Sequence, residues 1–323
     1  MDRVRIERLS PLGWPSPAVT IGNFDGVHRG HQALVSAVVV RAREIGGVSV
    51  VLTFDPHPAR VLGPGRAPAA LTTLTQKEEL LAFLGVDRLA VLPFDAGVAR
   101  LPPDAFAREV LQRAIGARHV VVGESFRFGH RRKGDARALA ALGEGLGFSV
   151  RALPAVLEEG GLVSSSRVRD DLVRGDVRAA RALLGRPYFV DASVVRGDGR
   201  GRAIGVPTAN LLADNEILPS RGVYAARFRV PAGAWHPCVV NLGQRPTFGG
   251  ESPTVEAHLI DFEGDLYGAR VRLEFHDRLR DEQRFDGPEA LVVRIREDVA
   301  RARALLSGAG GEGYSSGEPQ AHR

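Results

Sequence analysis

Short apolar runs alternate with helical patterns through the first half of the chain, and that alternation leaves few folds open. Residues 19–21 form an apolar run that stops at Gly22, and a loop and a helical pattern over about 31–45 follow. Residues 48–54 read as the next strand, ended by Asp55-Pro56-His57-Pro58. Helix, strand and helix recur over 75–84, 89–93 and 104–115, then strand, helix and strand over 119–123, 135–146 and 149–153. Strands joined by helical crossovers pair in parallel, so the expected fold is α/β, a doubly wound parallel sheet with helices on both faces. Ligands of such sheets bind outside the carboxyl ends of the strands, where the candidate motifs of this half lie.

The texture changes at Gly185-Arg186-Pro187. Beyond it the expected strands, 189–195, 222–230, 235–242, 255–259 and 270–275, are short and separated by turn residues, the pattern of a small C-terminal β-barrel or sandwich. A helix over 288–306 closes it, and from Ser307 onward Gly, Ser, Glu and Gln predict a disordered tail. The expected organisation is therefore one domain over 1–185, a second over 186–306 and a tail over 307–323, which suits a chain of 323 residues.

One cysteine, Cys238, excludes an internal disulfide framework and any multi-cysteine metal site. No apolar stretch approaches the roughly 18–20 residues of a membrane span, and the charged first residues lack the apolar middle of a secretory signal. A cytoplasmic protein without a membrane partner is expected. The net charge of +5 and pI near 9.9 raise a nucleic-acid partner. The basic residues are scattered among 38 acidic ones, however, and only Arg131-Arg132-Lys133 is compact, with no aromatic stacking motif beside it. No nucleic-acid partner is expected; local positive potential also suits small anions such as nucleotides.

Gly22-Asn23-Phe24-Asp25-Gly26-Val27-His28-Arg29-Gly30-His31 leaves a buried-looking strand and opens a helix. Glycine lets the backbone turn sharply against a ligand, and a helix start offers N–H groups to a phosphate. His28 and His31, three apart, lie on one side of the first turn. Imidazoles there can hydrogen-bond a polyphosphate and stabilise charge as pyrophosphate leaves. A phosphate nucleophile is already ionised at neutral pH, so no general base is needed. An isolated pair of this spacing is as readily a surface pair or a partial metal site; the order strand, glycines, helix favours the phosphate. Further on, Ser164-Ser165-Ser166 precede an expected helix start near Arg169, whose guanidinium could clamp the same anion. Alone, such a serine run is more often a helix cap or a loop.

In the second half, Gly201-Arg202-Ala203-Ile204-Gly205-Val206-Pro207-Thr208-Ala209-Asn210 joins a glycine-rich turn to hard oxygen ligands, the Thr208 hydroxyl and the Asn210 carbonyl, that suit Mg²⁺. No Walker loop is present, and by itself Pro-Thr-Ala-Asn is more often an ordinary turn. Glu256 and His258 share one face of the strand over 255–259. A carboxylate there could take the proton of an attacking alcohol; without context it reads as a solvent-facing glutamate.

Taken together and in order, these segments resemble the prokaryotic bifunctional riboflavin kinase/FMN adenylyltransferase (FAD synthetase) branch of the nucleotidyltransferase superfamily. The first half is similar at residues 22–31, at Thr53-Phe54-Asp55-Pro56-His57-Pro58, at Gly123-Glu124-Ser125-Phe126-Arg127-Phe128-Gly129 with Gly134-Asp135, and at residues 163–169. The second half is similar at residues 201–211, 222–225, 241–248, 255–258 and 265–268, and then at Phe275, Leu279-Arg280-Asp281-Glu282 and Phe285. The resemblance implies two ATP-using sites. In the adenylyltransferase site ATP would meet Gly22, Phe24, His28, His31, Ser164, Ser165, Ser166 and Arg169, and FMN would meet Asp55, His57 and Ser125. In the kinase site Gly205, Thr208 and Asn210 would bind Mg²⁺-ATP, Glu256 would be the base, and Arg280 and Glu282 would lie in a loop near the flavin. Ser125 stands where the family usually has Asn or Asp, and its hydroxyl cannot make the same two-point contact. That leaves a second reading, an active kinase with a weakened or inactive adenylyltransferase. A flavin-binding regulatory or nucleic-acid-binding module is a third, supported only by the pI.

Overall fold

The computed structural model describes residues 1–7, 9–63, 65, 67–197, 201, 205–231, 233–247 and 250–307, with side chains at these positions except 245–247 and 250–253. The described chain forms two compact units that part between Ser164 and Ser165. The expected tail lies outside the described residues apart from Ser307.

The first unit is built on a six-stranded sheet: β1 (Asp2–Arg5), β2 (Ala18–Ile21), β3 (Ser49–Asp55), β4 (Arg88–Pro93), β5 (His119–Gly123) and, after two two-residue strands β6 (Arg127–Phe128) and β7 (Gly134–Asp135), β8 (Ser149–Leu153). Their order is β1-β4-β3-β2-β5-β8 and every pair is parallel. Period-2 alternation splits the apolar side chains between two layers. Val19, Ile21, Val50, Leu52, Val120 and Val122 pack on one face with Val110 and Leu111, whereas Ala18 and Val121 face Val38 and Ala42 of the helix Arg29–Glu44. Each Val or Leu so buried contributes about 1.5–3 kcal/mol. The doubly wound expectation holds. The helix expected over 104–115 is present as one α-helical turn, Pro103–Ala105, that continues as a π-helix, Phe106–Ile115. β1 carries no signal in the sequence, because Asp-Arg-Val-Arg has no apolar face to mark an edge strand.

A two-residue ladder, β9 (Leu157–Glu158) with β10 (Gly161–Leu162), ends the first unit. The second unit opens with the helices Ser165–Arg174 and Val177–Leu184. The strands β11 (Tyr188–Val195), β12 (Ala209–Ala213), β13 (Gly222–Arg229), β14 (Trp235–Thr247), β15 (Gly250–Leu259) and β16 (Arg270–Arg280) then close into a barrel in the order β11-β12-β15-β14-β13-β16, all pairs antiparallel. Closure removes the sheet edges. Tyr224, Phe228, Leu273 and Phe275 are fully buried within the unit, and the helix Pro288–Ser307 lays Ala302 and Leu306 over Val223, Ala225 and Val239.

Candidate active sites

From β2 the strand order proceeds through β3 and β4 to one side and through β5 and β8 to the other. The carboxyl ends of β2 and β5 therefore flank the crevice in which doubly wound sheets take their ligands. Residues 22–28 cross it. Phe24, Gly26 and Val27 have φ of 48°, 81° and 42°, a left-handed backbone that costs a non-glycine residue about 1–2 kcal/mol, so the loop has to be held from outside. Asp25, 5% exposed, accepts the N–H of Leu71 at 3.0 Å and of Thr72 at 3.2 Å. A Cβ at Gly22 would come within 3.2 Å of the buried Phe24 ring, so glycine admits that ring under the turn.

His28 caps the helix Arg29–Glu44, its Nδ1 accepting the His31 N–H at 3.3 Å. A neutral imidazole that accepts at Nδ1 carries its proton on Nε2 and donates there. The His31 ring stacks on His28 with centroids 3.7 Å apart and rests on Phe24 at 5.0 Å. Burial first, then the electrostatic effect of the adjoining His28 and Lys77, hold His31 well below the ordinary imidazole value, so at neutral pH it is an uncharged polar group. Asp55 ends β3 and takes Arg5 Nη1 at 3.3 Å, and His57 caps the helix Pro58–Leu62 through Nδ1, 3.2 Å from the Ala59 nitrogen. Ser125 is exposed in the turn after β5. Gly22, Phe24, His28, Asp55, His57 and Ser125 thus lie at or just beyond the carboxyl ends of β2, β3 and β5, and Phe24 is buried behind His31 instead of being exposed.

Ser164 closes the first unit, whereas Ser165, Ser166 and Arg169 belong to the second. Their helix begins at Ser165 and not near Arg169, because Val168 and Leu172 are both buried and carry the apolar spacing back over the serines.

In the second unit a cavity of about 490 Å³ opens on the barrel. Cross-strand register sets Asn210 of β12 and Asn241 of β14 on either side of Glu256 of β15, and all three line it. Thr208 and His258 line it too, and His258 Nδ1 lies 2.8 Å from the Pro207 carbonyl, which makes that nitrogen the donor. Gly197 lies against Asn210 so closely that a Cβ would collide with the amide. Gly205, at φ 76°, makes the turn before Val206. Farther along the cavity stand Arg280, Glu282, Phe285 and Asp298 with the apolar Leu291 and Ile295. Arg280 ends β16, because that strand stays paired with β13 as far as Val223, and does not lie in the loop that carries Glu282. Its Nε and Nη2 bond Asp298 at 2.9 and 2.8 Å, and its Nη1 donates to the Asp281 carbonyl.

The FAD synthetase family model matches residues 13–167, and the riboflavin kinase family model matches residues 184–306. A bifunctional riboflavin kinase/FMN adenylyltransferase of Pseudomonas fluorescens is 40% identical over 305 residues, 94% of each chain. The chain belongs to the bifunctional riboflavin kinase/FMN adenylyltransferase family. Proteins of that description from Escherichia coli K12 and Bacillus subtilis are each 36% identical, covering 93% and 90% of this chain and 96% and 92% of their own. A solved structure from Streptococcus pneumoniae, described as a macrolide-efflux protein, shares the fold with a TM-score of 0.88 at 32% identity over 94% of this chain and 99% of that one. Among the described residues no helix is long and apolar enough to cross a membrane.

For this member of the family, the structure gathers Thr208, Asn210, Glu256, Arg280 and Glu282 around one cavity. Lys77 and Asp298 lie outside every motif named above; Asn241 lies within the similar segment 241–248 but carries no expected role there, and the register of adjoining strands puts it beside Glu256.

Proposed function

We propose that the barrel domain phosphorylates riboflavin to FMN with ATP, with the residues needed for that reaction beginning at Arg186, and that the parallel-sheet domain joins FMN to the AMP of a second ATP, releasing pyrophosphate. The observation that carries the kinase half is the cavity that holds Thr208, Asn210, Glu256, Arg280 and Glu282 together. There the Glu256 carboxylate takes the proton of the riboflavin 5′-hydroxyl as its oxygen bonds the γ-phosphorus and ADP departs. Arg280 and Glu282 border the flavin ring at the apolar end, and Gly205 belongs to the turn over the phosphates. In the first domain the FMN phosphate attacks the α-phosphorus of ATP. His28 donates from Nε2 to the polyphosphate, His31 supports it as a neutral group, and Ser164, which ends the same unit, binds the same nucleotide. Asp55, His57 and Ser125 receive FMN.

Mg²⁺ fits the Thr208 and Asn210 oxygens, which are hard and neutral; among the described residues no three His, Cys, Asp or Glu side chains gather to hold a metal by themselves. When bound, it would screen the phosphate charge as the nucleophile approaches. This reading places the chain in the cytoplasm, with riboflavin, FMN, FAD and ATP as its small-molecule partners and neither nucleic acid nor membrane among them. The test is chromatography of products after mixing pure protein, riboflavin and ATP with and without Mg²⁺. FAD formed only with the metal is expected. FMN alone would select the reading in which Ser125 has weakened the first site, and no phosphorylated product would overturn both.

A further inference from the structure

Lys77 belongs to none of the recognised motifs, yet it is 9% exposed and points its ammonium at the candidate nucleotide loop. It sits on the helix Leu74–Phe83, whose start is fixed by a reciprocal Thr73/Gln76 capping box. From there Nζ donates to the Asn23 carbonyl at 2.6 Å and reaches the Thr53 hydroxyl at 3.4 Å, while that hydroxyl itself donates to the Asn23 carbonyl at 3.2 Å. Asn23 immediately precedes the left-handed Phe24, so the carbonyl that Lys77 grips is where the strained loop begins. Asp25 anchors the next stretch on Leu71 and Thr72. Both anchors come from residues 71–77.

A tie of this kind does not require a charge; a neutral amide would donate at far lower desolvation cost. Burial does depress the Lys77 amine, and Asp25 and Asp55 act against that. Nζ thus lies between the loop that carries His28 and the end of β3 that carries Asp55. His31 is neutral at pH 7, so the histidine pair does not bring two fixed positive charges to the polyphosphate.

We propose that Lys77 is a positioning residue for adenylyl transfer, holding the loop of residues 22–28 through the Asn23 carbonyl and placing a fixed positive charge behind the site where pyrophosphate departs. The inference rests on the adenylyltransferase reading above and deepens it. Nucleotidyl transfer leaves extra negative charge on the departing pyrophosphate, and a preorganised cation in a dry site stabilises that charge more than the ground state. Loss of one such group costs about 10²–10³-fold in rate; Lys77 stands one residue back from the loop surface, so about 10–10²-fold is expected.

The test uses the full chain with Lys77→Gln, which keeps a donor without the charge, and Lys77→Met, which keeps neither. FAD formation from supplied FMN, FMN formation from riboflavin, and inhibition of FAD formation by inorganic pyrophosphate are measured in each. The expected result is a kcat for FAD formation lower by about 10–10²-fold in both variants, with pyrophosphate inhibiting at least several-fold more weakly and the rate of FMN formation unchanged. The kinase rate in the same chain reports folding, and Gln keeps the test open where Met unfolds the first unit. Lys77→Gln at the parent rate with parent sensitivity to pyrophosphate would overturn the inference. A parent protein that binds neither FMN nor pyrophosphate and makes no FAD would overturn the adenylyltransferase reading instead.

Discussion

Removing Asp298 should cost the barrel domain far more than an ordinary surface ion pair would. The Arg280 and Asp298 side chains are 10% and 5% exposed, and two guanidinium nitrogens bond the carboxylate at 2.9 and 2.8 Å. Taking one partner from a buried pair strands the other charge at a cost of about 3–5 kcal/mol. For a domain of this size, at roughly 4 °C per kcal/mol, that lowers its Tm by about 12–20 °C. Asp298→Ala should show that fall by calorimetry of the full chain in the transition of the second unit alone. The double change Arg280→Met with Asp298→Leu fills the space with apolar groups and should recover most of the loss, because an apolar replacement of a buried pair is often neutral or better. It should not recover riboflavin affinity, read from quenching of flavin fluorescence, since Arg280 borders the cavity. A fall of less than about 3 °C for Asp298→Ala would mean the pair is solvated, which refutes the desolvation argument.

Cys238 is completely buried and burial pushes its thiol well up, so an alkylating reagent at pH 8 should leave it untouched in native protein and modify it once unfolded. His31 is depressed in the folded state, so its contribution to stability is complete above the ordinary value of 6.5 and is lost as pH falls from there toward the folded value. His31→Gln should flatten that acid-side loss in urea midpoints compared at pH 7.5 and 5.5. The helices Ser165–Arg174 and Val177–Leu184 belong to the barrel unit, so a fragment starting at Ser165 should melt higher than one starting at Arg186, with both making FMN.

Fold class was legible because both halves advertise their period. Continuous apolar strands such as Val50-Val51-Leu52 mark a sheet buried on both faces, and alternation such as Val190-Asp191-Ala192-Ser193-Val194 marks a half-buried barrel strand. Chemistry was legible wherever neighbours in sequence are neighbours at the site, as with His28 and His31 or Glu256 and His258. It was not legible where partners come from distant segments. Lys77 is 54 residues from the Asn23 carbonyl it holds, and Asp298 is 18 from Arg280. Nothing in Pro-Thr-Ala-Asn announced a strand, yet Ala209 and Asn210 open β12, and that pairing is what aligns Asn210 with Glu256. The burial of Phe24 was equally hidden, since a left-handed turn is set by the anchors on Asp25 and Asn23 and not by local pattern.

Two separate active sites on one chain should respond independently to a crossed pair of variants. Glu256→Gln keeps the size of the side chain but loses its basicity, and should lower FMN formation from riboflavin by about 10²–10⁴-fold. FAD formation from supplied FMN should continue, because that nucleophile is already an anion. His28→Ala should do the reverse, lowering FAD formation by about 10²–10³-fold while FMN formation holds. Both rates are read by chromatography on the same two proteins. Opposite losses are expected; if either variant lowers both activities equally while remaining folded, the two-site reading is contradicted.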